Sequence, residues 1–190
     1  MTGGAGTPVS DGWLLNAVPV VSGAMLRDSV EMDELRHPIR IEAQHIIPDS
    51  EGAGRFRGAP GAYVEYGPVG CAIDVMYTTD GTITPALGAR GGLPGGLAAQ
   101  YKREVTGSLV EASPERTRLE PGETIVSISC GGGGYGPPTE RDPERVRHDT
   151  IEGWITRERA AAVYGVVLTS TGEIDAATTA VSRAAGPTNH

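Results

Sequence analysis

Residues 131–138, Gly-Gly-Gly-Gly-Tyr-Gly-Pro-Pro, set the tightest limit on what this chain can fold into. Four consecutive residues without a Cβ have poor helix propensity and nothing to pack on a sheet, and the two prolines remove backbone donors and hold the chain extended. Two further clusters, Gly-Ala-Gly-Arg-Phe-Arg-Gly at 52–58 and Gly-Gly-Leu-Pro-Gly-Gly at 91–96, repeat the theme. With 28 Gly and 14 Pro, these residues make up roughly a fifth of the 190-residue chain, against an average nearer an eighth. Much of the length must therefore be turns and irregular segments. The glycines follow no G-X-Y period, which excludes collagen, and a hydrophobic fraction of 38% supports a buried core, which excludes wholesale disorder.

Sixteen basic against 24 acidic residues give a formal charge of -8, the wrong sign for a nucleic-acid phosphate surface. Lys102 is the only lysine, so arginine carries nearly all the positive charge and favours bidentate pairing over a diffuse basic coat. No apolar run reaches a membrane-spanning length, and Met1–Gly6 lacks the basic-then-apolar pattern of a signal peptide. The expectation is a cytoplasmic protein with no nucleic-acid or membrane partner. Cys71 and Cys130 lie far apart and form no C-x-x-C pair; both are expected to be buried, inert thiols, with Cys130 the better candidate for reactivity because it borders the glycine run.

The pattern of residues predicts an α+β fold, mainly β: an antiparallel β-rich body over 1–136 and a helical tail over 137–190, in one domain. Residues 1 to about 12 read as a loose lead-in, and Pro19 and Gly23 argue against one long helix over 13–27. Alternation marks strands at 39–47, 62–66 and 71–77. Asp80-Gly81 between β-rich runs predicts a hairpin in an antiparallel meander. A second hairpin is predicted from 116–119 and 124–129, joined by Glu120-Pro121-Gly122-Glu123 as a type II turn. In the tail, Asp142-Pro143 caps a helix to about Thr150, Thr156 caps another that stops at Gly165, 166–168 is a short strand, Thr171-Gly172 a turn, and Asp175 caps a last helix over 176–185.

Gly131-Gly132-Gly133-Gly134-Tyr135-Gly136 formally satisfies G-x-G-x-x-G, but a dinucleotide site needs the last glycine to open a helix, and Pro137-Pro138 prevents that. There is no Gly-Lys-Ser/Thr of a phosphate loop and no Gly-x-Ser-x-Gly elbow. His37, His45, His148 and His190 have no metal-ligand spacing, so no metal is expected here; His45 reads as a core or sheet-face histidine, and His148-Asp149 as a surface pair. Two readings of the glycine clusters remain: tight loops packed against backbone, or loops whose neighbouring polar residues meet a partner.

Taken together, the motifs resemble the hydantoinase B/5-oxoprolinase family, which also includes the large subunits of acetone and acetophenone carboxylases. Asp49-Ser50-Glu51-Gly52-Ala53-Gly54-Arg55-Phe56-Arg57-Gly58 is similar to that family's D-S-G-G-A-G-x-x-R-G-G signature, departing at Glu51 and Ala59. In the family's order come Asp11-Gly12, the 91–96 cluster, Leu119-x-Pro121-Gly122-Glu123, and the run from Gly131 to Glu140-Arg141-Asp142. Tyr164–Leu168 and the closing helix complete the series.

The resemblance is to the C-terminal part of the B-type proteins, and it implies a small, split B-type subunit that is not active alone. It implies ATP-dependent chemistry on a lactam or cyclic amide, or on a ketone with bicarbonate. This chain would bind no cofactor; ATP with Mg and a divalent metal would sit on partners, an A-type ATPase subunit and an N-terminal B-type subunit. Binding or interface candidates are Asp49, Arg55, Arg57, Gly131, Gly132, Gly133, Gly134, Tyr135, Arg141 and Asp142, with no catalytic residue assigned. The two arginines either complete a pocket for an anionic group or pair structurally with Asp49, Glu51 or Glu140. The rival readings are a non-catalytic scaffold that stabilises the metal-containing partner, and a stand-alone small-ligand binder.

Overall fold

The computed structural model describes residues 2–15, 17–20, 23–26 and 29–185. Its centre is a five-stranded antiparallel sheet of β5 (Ile39–Ile46), β6 (Ala62–Pro68), β11 (Thr124–Ile128), β8 (Ala99–Arg103) and β9 (Leu109–Glu111), in that order. Three two-stranded sheets accompany it: β1 (Thr2–Gly3) with β2 (Leu14–Leu15), β3 (Ala17–Val20) with β4 (Gly23–Leu26), and β7 (Ile73–Val75) with β10 (Thr117–Leu119). The last of these packs on the large sheet, where Val75, Ala112, Leu119 and Ile125 form a buried cluster joined by Tyr66 and Tyr77.

The α+β fold with short C-terminal helices is as expected, but the strand pairing is not. After Asp80-Gly81 no second strand pairs with β7, whose partner is β10, more than 40 residues on. A good turn dipeptide sets a local bend; which strands meet is decided by the faces they bury. The turn at 120–123 forms as predicted, with Gly122 at φ 94° and Glu123 N–H donating to Glu120 O at 2.9 Å. It nevertheless joins two sheets, since β11 pairs with β6 and β8 while β10 pairs with β7. The meander is broken in the same way, because β11 inserts between β6 and β8. Cys71 is exposed and Cys130 half-buried, so neither is a core thiol.

Beside the sheet the glycine segments pack into a bundle of extended strands outside any β ladder. Around Gly131–Gly134, donors and acceptors recur every third residue. Gly3 and Gly6 donate to Cys130 and Gly133; Gly131 and Gly134 donate to Gly96 and Leu93; Gly132 and Tyr135 donate to Ala59 and Phe56. Three residues per turn without internal hydrogen bonds is the repeat of polyproline II, and at a crowded axis only glycine leaves room for the neighbouring backbone. A Cβ on Gly132 would stand 2.0 Å from Gly4 O, and one on Gly58 1.9 Å from Gly132 O. The central segment has neighbours on every side, hence four glycines in a row. Gly3 to Gly12, expected to be a loose lead-in, is part of this bundle.

The tail comprises a 3-10 turn at Pro138–Glu140, α2 (Pro143–Ile151), α3 (Arg157–Ala162) and α4 (Ala176–Ala185). Asp142 accepts from Glu144 N–H with Pro143 at the first helical position, Thr156 accepts from Arg159 N–H, and Asp175 accepts from Thr178 N–H, as the cap residues predicted. Residues 166–168 make only a single bridge, Leu168 to Ile174. Val146, Ile155, Ala160, Tyr164 and Val166 bury themselves against Ala53, so the tail packs directly on the glycine bundle. The short helix α1 (Val30–Arg36), capped by Ser29, was not foreseen from the sequence.

Candidate functional site

The predicted arginines converge where the tail meets the bundle. Arg141, 1% exposed, donates to both oxygens of Asp11 at 2.7 and 2.9 Å and, from Nε and Nη2, to Asp149 Oδ2 at 3.1 and 2.8 Å. Arg57 approaches the other oxygen of Asp149 at 3.0 Å, lies over the Trp154 ring at 4.1 Å, and offers its backbone N–H to Asp11. Burial would raise the Asp11 carboxyl, but the hydrogen bonds from Arg141 and the charges of Arg141, Arg57 and Arg145 hold it below its usual value. Burial likewise opposes charge on Arg141, and the two aspartates outweigh it. The positive charges are thus matched within the chain, as buried ions require.

Asp49 does not join this cluster. Held at φ 64°, it accepts from Thr156 N–H and Oγ1 at 2.7 and 2.8 Å and so anchors the start of α3. Glu51, buried, receives Arg159 Nε at 2.7 Å and Tyr164 Oη at 2.9 Å; burial pushes its pKa up despite Arg159 and Tyr164. The acids expected to pair with Arg55 or Arg57 are therefore taken elsewhere, and the true partners are Asp149 and Asp11. Asp149, read from sequence as part of a surface pair, is 3% exposed; only its neighbour His148 faces outward. Helical spacing contained the signal, since Asp149 falls three residues after buried Val146. His45 is an exposed sheet-face residue stacked on Tyr63 at 4.7 Å.

Two open recesses flank the cluster and share Arg145. One of about 310 Å³ is lined by Arg55, Phe56, Glu140, Asp142 and Arg145; the other, about 480 Å³, includes Asp11, Trp13, Arg57, Arg145 and Trp154. The guanidinium groups of Arg55 and Arg145 lie 5.6 and 5.8 Å from the Phe56 ring centre. Tyr135 bridges Phe56 and Ala89 through its backbone, and Gly131–Gly134 are buried. Arg55, Arg57, Arg141, Asp142 and Tyr135 are thus brought together, with Asp49 apart from them. The arrangement offers cationic and aromatic rims suited to an anionic group or to a partner. Among the described residues the Asp11–Arg141–Asp149–Arg57 cluster presents no base beside a free nucleophile.

The sequence profile of the hydantoinase B/oxoprolinase family matches residues 1–138. The chain belongs to that family. The caprolactamase beta subunit of Pseudomonas jessenii is 32% identical over 97% of this chain and 33% of its own length. The B-type subunit of a D-/L-hydantoinase from Pseudomonas sp. strain NS671 is 27% identical over 85% of the chain and 28% of its own length. This hydantoinase B chain thus spans about a third or less of the curated relatives it matches. The crystal structure of ATP-dependent caprolactamase from P. jessenii superposes with a TM-score of 0.77 at 25% identity, over 96% of this chain and 32% of that one. Nucleotide-free acetone carboxylase shares the fold, with a TM-score of 0.75 at 22% identity. The family motif's departure at Glu51 is accommodated because Arg159 and Tyr164 bind the carboxylate that replaces a glycine.

Proposed function

We propose that this chain forms part of the B-type half of an ATP-dependent, multi-subunit amidohydrolase or carboxylase, acting on a lactam or cyclic amide, or on a ketone with bicarbonate. The observation that carries the reading is the match to the caprolactamase beta subunit over 97% of the chain in sequence, paralleled by the caprolactamase fold over 96% of it. In this reading an A-type ATPase subunit supplies ATP and Mg, an N-terminal B-type polypeptide supplies the divalent metal, and the chain is inactive alone. Arg55 and Arg145, the most exposed cations of the site, are placed to meet an anionic group or a partner's acid. A scaffold role is favoured by a separate observation: Arg57, Arg141 and Asp49 are all committed to internal bonds.

The test is reconstitution. Adding the chain to the A-type subunit and the N-terminal B-type polypeptide should raise lactam- or ketone-dependent ATP turnover at least about tenfold, each tenfold being about 1.4 kcal/mol of barrier. Assembly without any change in turnover would leave only the scaffold role, and absence of assembly would overturn both.

A further inference from the structure

Residues 81–98 form an arm on the outside of the glycine bundle. Ala98 N–H donates to Gly81 O, Gly95 to Ala86 and Gly92 to Ala89, at 2.9 to 3.0 Å, so two extended segments run antiparallel around a turn at Arg90-Gly91. This pairing sets Ile83 beside Leu97 and Leu87 beside Leu93. All four are exposed, Ile83 at 90% and Leu87 at 73%. From Thr82 to Leu97 the only charged residue is Arg90, in a chain that is 21% charged. An ordered, uncharged apolar row of this kind marks an interaction surface.

Two polar features next to the row point to what covers it. Thr82 and Ala98 also line a cleft of about 510 Å³ with Tyr77, Gln100 and Tyr101. Gln100 is only 9% exposed, and its carboxamide has no partner among the described residues. A carboxamide donates and accepts side by side, which matches a peptide group. At the arm's edge the N–H groups of Leu87 and Gly88 also lack partners among the described residues. Apolar side chains, an open row of backbone donors and a peptide-matching amide together suit an extended polypeptide segment that joins the edge.

We infer that the outer face of the 81–98 arm, with the Gln100 cleft, docks an extended apolar segment of the N-terminal B-type polypeptide. The inference rests on the B-type reading above. In caprolactamase this fold accounts for 32% of the chain it superposes on, so a body about twice its size accompanies it there. A second copy of this chain is the poorer occupant, because each copy carries a net charge of -8 and the row offers nothing to offset the repulsion.

Titration calorimetry with separately produced N-terminal B-type polypeptide tests the surface. Leu87→Asp and Leu97→Asp should each weaken binding by about tenfold or more, as a charge in an apolar interface core does. Leu35→Asp, at a 79% exposed position on α1, should leave it unchanged. All three positions are exposed, so circular dichroism should show folded chains, with melting temperatures close to the parent's. Equal binding by all variants would overturn the surface and leave the B-type reading intact. Failure of the unmodified chain to bind would remove both. A dimer of the chain alone, dissolved by Leu87→Asp in sedimentation, would assign the row to a second copy and overturn the inference.

Discussion

At Gly132 the missing side chain is itself a packing element. The Cβ of an alanine would lie 2.0 Å from Gly4 O and 2.4 Å from Gly4 C, both backbone atoms that cannot swing aside. Gly132→Ala should therefore cost about 3 kcal/mol or more in urea unfolding, the upper range for forced overpacking. Gly70 makes the comparison clean. It stands at φ 75° with nothing within 4 Å of an added Cβ, so Gly70→Ala should cost only the left-handed backbone penalty, about 1 kcal/mol. Nearly equal losses would mean that the bundle yields to a methyl group. From sequence these residues read as loops; that they pack against one another was hidden because close backbone approach leaves no side-chain pattern. One trace was legible: Gly58 and Gly61, and Gly92 and Gly95, are spaced by three, and each pair turns towards residues 129–134.

Among the elements, the large sheet carries a polar knot across three strands. Glu65 on β6 receives Arg103 Nε from β8 at 2.7 Å, Thr124 Oγ1 from β11 at 2.6 Å, and the Tyr63 hydroxyl. The Arg103 hydrogen bond chiefly lowers its pKa from 4.5 to about 2, against the opposing effect of burial. A depressed carboxylate pKa contributes stability that is complete above the unfolded value and is lost as pH falls through the folded one. The melting-temperature gap between the parent and Glu65→Gln should therefore be widest above about pH 5 and close between 4.5 and 2. A gap independent of pH would show that the amide loses packing, not charge. Strand positions were legible here because alternation is local, and helix caps were legible for the same reason. Pairing was not, since β7 meets β10 through residues brought together only when Leu119 and Val75 share one core. Helix α1 has a capping serine and Glu31 and Asp33 in its first turn, but it buries no residue and so shows no apolar stripe.

Across the whole molecule, Asp149 fastens three parts to one another. It holds Arg57 of the bundle and Arg141 at the head of the tail, and Arg141 in turn holds Asp11 of the N-terminal segment. Asp149→Asn should leave two buried guanidinium groups under-neutralised and cost about 3–5 kcal/mol, with faster amide exchange in α2 and α3 than in the large sheet. Uniform acceleration across both regions would argue against a local fastener. The arginines were recognisable from the family motif, whereas their acids were misassigned because pairing over more than 80 residues leaves no trace in local sequence. The bundle has one further consequence, for how such chains can change length. Each added residue turns a polyproline II segment by a third of a revolution, so a single insertion near Gly92 or Gly132 would present the wrong edge to every neighbour downstream. Insertions and deletions within these segments are tolerable only in threes, giving this part of the polypeptide a reading frame of its own, enforced by sterics.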